Sequence, residues 1–238
     1  MSEPAPTNAL AGAPAEEILA WADLTYGQRA VIASSFGVED VVLIDLAQRH
    51  APRLPIFTLD TGRLPPETYE VMEEVRQRYG VAIVAFAPER AAVEQLEREK
   101  GFFSFRRSIE ERKECCAVRK LEPLSRALAG KSAWVTGLRR EQSVTRASVE
   151  VVETDAAHGG ILKLNPLAGW SEADVWRYAR EQSLPVNALH ARGYPSIGCA
   201  PCTRPVAPGE DLRAGRWWWE LPEHKECGLH GRATKVGR

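Results

Sequence analysis

The chain carries five cysteines, and their spacing says more than their number. Cys115 and Cys116 are adjacent, Cys199 and Cys202 form a C-x-x-C pair, and Cys227 stands alone near the C-terminus. Four thiolates are a soft donor set suited to Zn²⁺ or to an iron–sulfur cluster. Neighbours on a helix project about 100° apart, so Cys115 and Cys116 would reach separate atoms of a broad site, which favours a polynuclear cluster over a single zinc ion. Two buried thiols beside a redox C-x-x-C pair are the plainer alternative. Five cysteines are too few for a disulfide scaffold, and the pattern suits a reducing, cytoplasmic setting.

Cys227 lies in Lys225-Glu226-Cys227-Gly228-Leu229-His230, a polar stretch preceded by His224. Lys225, His224 or His230 would lower its pKa and raise the thiolate fraction, as a nucleophile needs; an incidental thiol is the alternative. A thiolate attacking an anionic substrate meets repulsion on the order of 4 kcal/mol at about 4 Å and an effective dielectric of about 20. Arg119 and Lys120, just after the paired cysteines, and Arg213 and Arg216, three apart, are available to offset it. Arg139, Arg140 and Arg146 form a third basic cluster. Singly, each reads as a solvated surface charge; together they point to a small polyanionic ligand. Three consecutive tryptophans, Trp217 to Trp219, read as core or interface packing rather than a stacking platform. His50, His158 and His190 read as structural.

Two further loops combine small, hydroxyl and glycine residues. Ser34-Ser35-Phe36-Gly37 leaves a strand for a helix, where unpaired N–H groups can receive a phosphate or sulfate. Leu59-Asp60-Thr61-Gly62-Arg63 ends a second strand in the same way. Plain connection chemistry is the competing reading of both.

Such loops need strands to hold them. Strand candidates are Ala30–Ser34, Ile56–Leu59, Val81–Phe86, Ala133–Gly137, Val149–Glu153 and Ile161–Leu164. Helical periodicity falls at Ala15–Ala22, Asp40–Arg49, Pro66–Tyr79, Ala91–Lys100, Cys116–Ala129 and Ser171–Glu181, the last with Ser171 and Asp174 as a capping pair. The alternation predicts an α/β fold: a doubly wound, mostly parallel sheet with ligands at the carboxyl ends of its strands. Residues 1–14 read as a flexible leader, 15–202 as the nucleotide- and cluster-binding domain, and 203–238 as a mobile C-terminal arm or lid carrying Cys227.

The whole-chain balance narrows the functions. With 238 residues and 44% hydrophobic content, a folded core is expected rather than disorder. A formal charge of −1 provides no global field for nucleic acid or a membrane surface, and no apolar run is long enough to span a bilayer. Neither nucleic acid nor membrane is expected as a partner.

Taken in order, Ser34-Ser35-Phe36-Gly37, Leu59-Asp60-Thr61-Gly62-Arg63, Glu114-Cys115-Cys116 with Arg119-Lys120, Gly137-Leu138-Arg139-Arg140-Glu141-Gln142-Ser143, Gly198-Cys199-Ala200-Pro201-Cys202 and Lys225 to His230 resemble the adenylyl-sulfate / phosphoadenylyl-sulfate reductase family. The resemblance is to its cluster-containing, thioredoxin-dependent branch. It implies an adenine nucleotide alpha hydrolase-like fold related to the ATP pyrophosphatases. It also implies one 4Fe-4S cluster on Cys115, Cys116, Cys199 and Cys202, with Cys227 as nucleophile. The implied substrate is adenosine 5′-phosphosulfate, the products AMP and sulfite, and the reductant thioredoxin or a glutaredoxin-like protein.

By matched position, Lys120, Arg213 and Arg216 would bind the phosphosulfate, with Arg146 and Arg119 as further candidates. Ser34, Ser35, Phe36 and Gly37, then Leu59, Gly137 and His230, complete the implied substrate site. The resemblance also implies a homo-oligomer, possibly a tetramer. The close alternative is a phosphoadenylyl-sulfate reductase or an enzyme accepting both nucleotides. A tRNA-thiolating enzyme would need the pyrophosphatase pattern Ser-Gly-Gly-x-Asp-Ser and a broad basic surface. Here Ser35 and Phe36 occupy the glycine places, so ATP cleavage is not expected. A metal-stapled binding module with an idle Cys227 is the non-enzymatic alternative.

Overall fold

The structure is a computed structural model that describes residues 10–221, 224–226 and 228–229. Cys227 and His230 lie outside the described residues, as does most of the expected leader.

In chain order the elements are α1 (Ala15–Tyr26), β1 (Ala30–Ala33), α2 (Val38–His50), β2 (Ile56–Leu59), α3 (Pro66–Tyr79), β3 (Ile83–Phe86) and α4 (Arg90–Lys100). They continue with α5 (Ile109–Cys116), a π-helical turn (Ala117–Leu121), α6 (Glu122–Leu128), β4 (Ala133–Val135), β5 (Val152–Asp155), β6 (Ile161–Leu164) and α7 (Glu172–Glu181). The six strands form one sheet in the order β3-β2-β1-β4-β6-β5. Every pairing is parallel except that of β5 with β6.

The inner strands are rich in apolar residues because both faces are covered. β1 reads Ala-Val-Ile-Ala with no polar residue, as a strand buried on both sides must. One face packs on α1, α2 and α7 through Ile18, Val41, Ile44 and Val175; the other packs on α6 through Leu124, Ala127 and Leu128 around Phe57 and Trp134. Asp45 of α2 is buried and accepts hydrogen bonds from the hydroxyls of Tyr79 on α3 and Tyr178 on α7, each at 2.7 Å, which pins three helices together.

Several expectations shift. The helix expected at Cys116–Ala129 is three pieces, with the cysteines closing α5, ahead of the π turn. The strand expected at Val149–Glu153 starts at Val152; Val149 and Val151 instead bury their side chains in the core. Residues 10–14 do not extend a free leader, since Leu10 is buried in the main core. The arm is docked: Arg213, Arg216 and Trp217 are buried, and Thr203 bridges to Arg216.

Candidate functional site

The direction in which strands are added to the sheet reverses between β1 and β4: β2 and β3 lie to one side of β1, and β4, β6 and β5 to the other. The carboxyl ends at that switch point form a crevice, the place where open α/β sheets bind ligands. A cavity of about 230 Å³ opens there. Ser34, Ser35 and Gly37 line it from the end of β1, Leu59 and Thr61 from β2, and Gly137 and Leu138 from β4. Lys120 reaches it from the π turn, Arg146 from the loop after β4, and Arg213, Arg216 and Leu229 from the arm.

The β1 loop is held open by its own hydrogen bonds. Asp40 accepts from the Ser35 backbone N–H at 2.5 Å and from its hydroxyl at 2.7 Å, while the Phe36 N–H donates to Ser34 Oγ at 3.1 Å. Phe36 has φ +58°, the left-handed conformation that a glycine adopts freely. A non-glycine residue there costs about 1 kcal/mol, which the burial of its ring in the core offsets. The position therefore takes a glycine-like backbone conformation without a glycine. Its side chain points away from the crevice.

Gly137 is required by close approach. A Cβ there would collide with the Asp40 carboxylate, so β4 and the β1 loop can meet only over a glycine. The same loop carries Arg139, buried and paired with Glu39 at 2.9 Å, and Gln142, which donates to Glu39 at 3.0 Å and accepts from Arg146 at 2.6 Å. Glu39, Asp40 and Gln142 stand in the sequence motifs without an assigned site role, and His190 reads there as structural; all four line the pocket. The signal for Glu39 and Asp40 was their place in the first turn of a helix after a hydroxyl-rich loop. His190 gave none.

A second, smaller cavity lies beside the first. Cys115, Cys116, Cys199 and Cys202 line it with Arg63, Phe105, Arg112 and Arg119, while Lys120, Arg216 and Trp217 line both cavities. All four thiols are buried. Burial pushes the Cys115 thiol up, against the pull of Arg63 and Arg119. Burial, with Cys199 and Cys116 nearby, pushes Cys202 up to about 12. Burial also opposes ionisation of Cys199, yet Lys120, the Thr61 hydroxyl, Arg216 and Arg119 together hold it below the usual thiol range.

The loop after β2 ties the two cavities together. Thr61 Oγ1 lies 3.3 Å from Cys199 Sγ, the Ala200 N–H donates to Arg63 O at 2.8 Å, and Arg119 donates to Thr61 O at 2.8 Å. Arg119 thus faces the cysteine cavity and Glu97, not the larger cavity. Among the described residues no three Cys, His, Asp or Glu side chains converge to hold a metal ion. Four buried thiols around one cavity, with Nε of Arg119 and of Arg216 lacking any hydrogen-bond partner, fit a broad sulfur-ligated cluster better than a single ion.

The arm closes the crevice. Arg112 of α5 is fully buried and pairs with Glu220 at 2.8 Å; it also donates to His224 O and Glu226 O at 2.8 and 2.7 Å. Its guanidinium and that of Arg216 stack on the Trp217 ring, at 4.8 and 4.7 Å from the ring centroid. Trp217 is therefore a packing residue sandwiched by two cations. Glu226 meets Arg146 and Arg213, and Leu229 packs near Phe57, Leu124 and Trp134. The residues on both sides of position 227 are thus at the pocket.

Sheet order and switch-point pocket define a doubly wound, mostly parallel α/β protein, and yeast FAD synthetase shares the fold with a TM-score of 0.55 at 16% identity, over 86% of this chain and 70% of that one. A phosphoadenylyl-sulfate reductase from Candida auris, crystallised with phosphate, matches with a TM-score of 0.72 and 27% identity, over 86% of this chain and 99% of that one. The adenosine 5′-phosphosulfate reductase of Allochromatium vinosum is 57% identical over 202 residues, covering 85% of this chain and 78% of that protein. The phosphoadenosine phosphosulfate reductase domain matches residues 29–205. The chain belongs to the phosphoadenosine phosphosulfate reductase family.

Proposed function

We propose that this chain is an assimilatory adenylyl-sulfate reductase that converts adenosine 5′-phosphosulfate to sulfite and AMP. The observation that carries the reading is the meeting, at the switch-point pocket, of Lys120, Arg146, Arg213 and Arg216 with the arm residues that flank position 227. Relatives named for reduction of this nucleotide support it.

In the proposed chemistry the Cys227 thiolate attacks the sulfur of the phosphosulfate. The bond between that sulfur and the bridging phosphate oxygen breaks, and AMP leaves with its electron pair. An S-sulfonate stays on the cysteine. A thiolate of a thioredoxin-like dithiol then attacks the Cys227 sulfur, sulfite departs with the bonding electrons, and the second thiol resolves the mixed disulfide, regenerating the Cys227 thiolate. Two electrons pass from dithiol to sulfur. The Gly37 N–H and the first N–H groups of α2 would position the phosphate, and the cations would offset charge accumulating as two anions approach.

Cys115, Cys116, Cys199 and Cys202 would hold a 4Fe-4S cluster, whose chemistry when bound is to brace the wall shared by the two cavities and to set the charge around Lys120. Thioredoxin dependence fits a reducing cytoplasm, and a homo-oligomer such as a tetramer is part of the proposal. The alternative, turnover of the 3′-phosphorylated nucleotide, is tested by comparing sulfite release from the two substrates. A higher kcat/KM for adenosine 5′-phosphosulfate is expected; the reverse order would reassign the substrate.

A further inference from the structure

We propose that the Glu226 carboxylate is an internal occupant of the anion subsite, and that Glu226 is a specificity-determining residue separating a nucleotide with a second anionic group from AMP. The inference rests on the nucleotide reading above and adds to it the residue next to the nucleophile.

Three side chains hold this carboxylate. Arg146 donates from Nε at 3.1 Å and from a terminal nitrogen at 3.3 Å; Arg213 lies at 3.3 Å, and the Thr145 hydroxyl donates at 3.0 Å. Both arginines line the nucleotide pocket and are largely withdrawn from solvent, with side chains 14% and 9% exposed. The remaining terminal nitrogen of Arg146 donates to Gln142 at 2.6 Å. Glu226 therefore takes the fork formed by Nε and one terminal nitrogen of Arg146, and an incoming phosphate or sulfate can use that fork only after Glu226 leaves it.

Displacement does not require the arm to leave. The backbone around Glu226 is held by other contacts: Arg112 binds the carbonyls of residues 224 and 226, and Arg213 donates to Lys225 O at 2.7 Å. Rotation of one side chain is enough to free Arg146. Substrate and product of the proposed reaction differ by one anionic group. A ligand with that group gains Arg146 and Arg213 by expelling Glu226, whereas AMP has too little to offer in exchange. Once the SO₃ unit is on the cysteine, Glu226 reclaims the arginines and AMP is released. Discrimination thus comes from an internal competitor as well as from attractive contacts.

The test is calorimetric titration of the full-length protein with ADP, whose second phosphate supplies the extra anion, and with AMP. In Glu226→Gln, ADP is expected to bind about tenfold more tightly, with AMP affinity changing far less. Thr145→Val removes one donor to the carboxylate at an exposed position outside the pocket, and should tighten ADP by about twofold with AMP unchanged, so the inference does not hang on one variant. Unchanged or weaker ADP binding in both variants, or equal shifts for the two nucleotides, would overturn it. If the parent protein binds neither nucleotide, the nucleotide reading falls and this inference with it; parent binding without a shift in the variants overturns the inference alone.

Discussion

Asp40 shows how single residues set the pocket's electrostatics. Burial, reinforced by Glu39, pushes its carboxyl up to about 6 from an ordinary value of 3.8, against two hydrogen bonds from Ser35 and the charge of Arg146. Because the folded-state value is the higher one, the folded protein binds the extra proton between about pH 4 and pH 6. The associated stability is present at the acid end and lost as pH rises through 6, a cost on the order of 3 kcal/mol near neutrality. Asn in place of Asp40 can still accept from Ser35 without that charge. Asp40→Asn should therefore gain stability relative to the parent at pH 7.5 compared with pH 5, as followed by thermal unfolding at the two values. A constant difference would contradict the assignment. Asp40 was visible in the sequence only as an acidic residue opening a helix; the collision it imposes on Gly137 and the burial that shifts it depend on β1 and β4 being neighbours.

Elements were legible in proportion to their apolar pattern. β2, β6 and α3 have the boundaries expected of them, since each is framed by proline, glycine or a sharp change of period. Helix α5 was missed. Ile-Glu-Glu-Arg-Lys-Glu-Cys-Cys has no apolar stripe, because the face it buries consists of Arg112, Cys115 and Cys116. Its start is marked only by Ser108, whose side chain accepts from the Glu111 N–H. This helix joins the cysteine cavity to the arm through the Arg112–Glu220 pair, whose side chains are 0% and 3% exposed. Breaking a buried pair from one side strands a charge, so Arg112→Met should destabilise the protein by about 3–5 kcal/mol in denaturant unfolding. Adding Glu220→Leu should recover at least half. A loss below about 1 kcal/mol for the single variant would mean that the pair does not anchor the arm.

At the scale of the whole molecule, the alternation of strands and helices was enough to predict a mostly parallel sheet, but strand order is not written in any local pattern. The meeting of the β1, β2 and β4 loops follows from the order β2-β1-β4. The π turn separates Arg119, which turns to the cysteines, from Lys120, which reaches both cavities. The arm was legible by its prolines and glycines, while its docking was not, because it depends on arginines from α5 and from the loop after β4. The architecture brings the switch-point crevice, a cation-rich wall and the arm together at the carboxyl ends of the strands. Mass spectrometry of the protein incubated with adenosine 5′-phosphosulfate and no reductant tests whether they work together. The peptide containing Cys227 should gain one SO₃ group, which reduced thioredoxin removes as sulfite; an unmodified Cys227, or an adduct confined to other cysteines, would contradict the account.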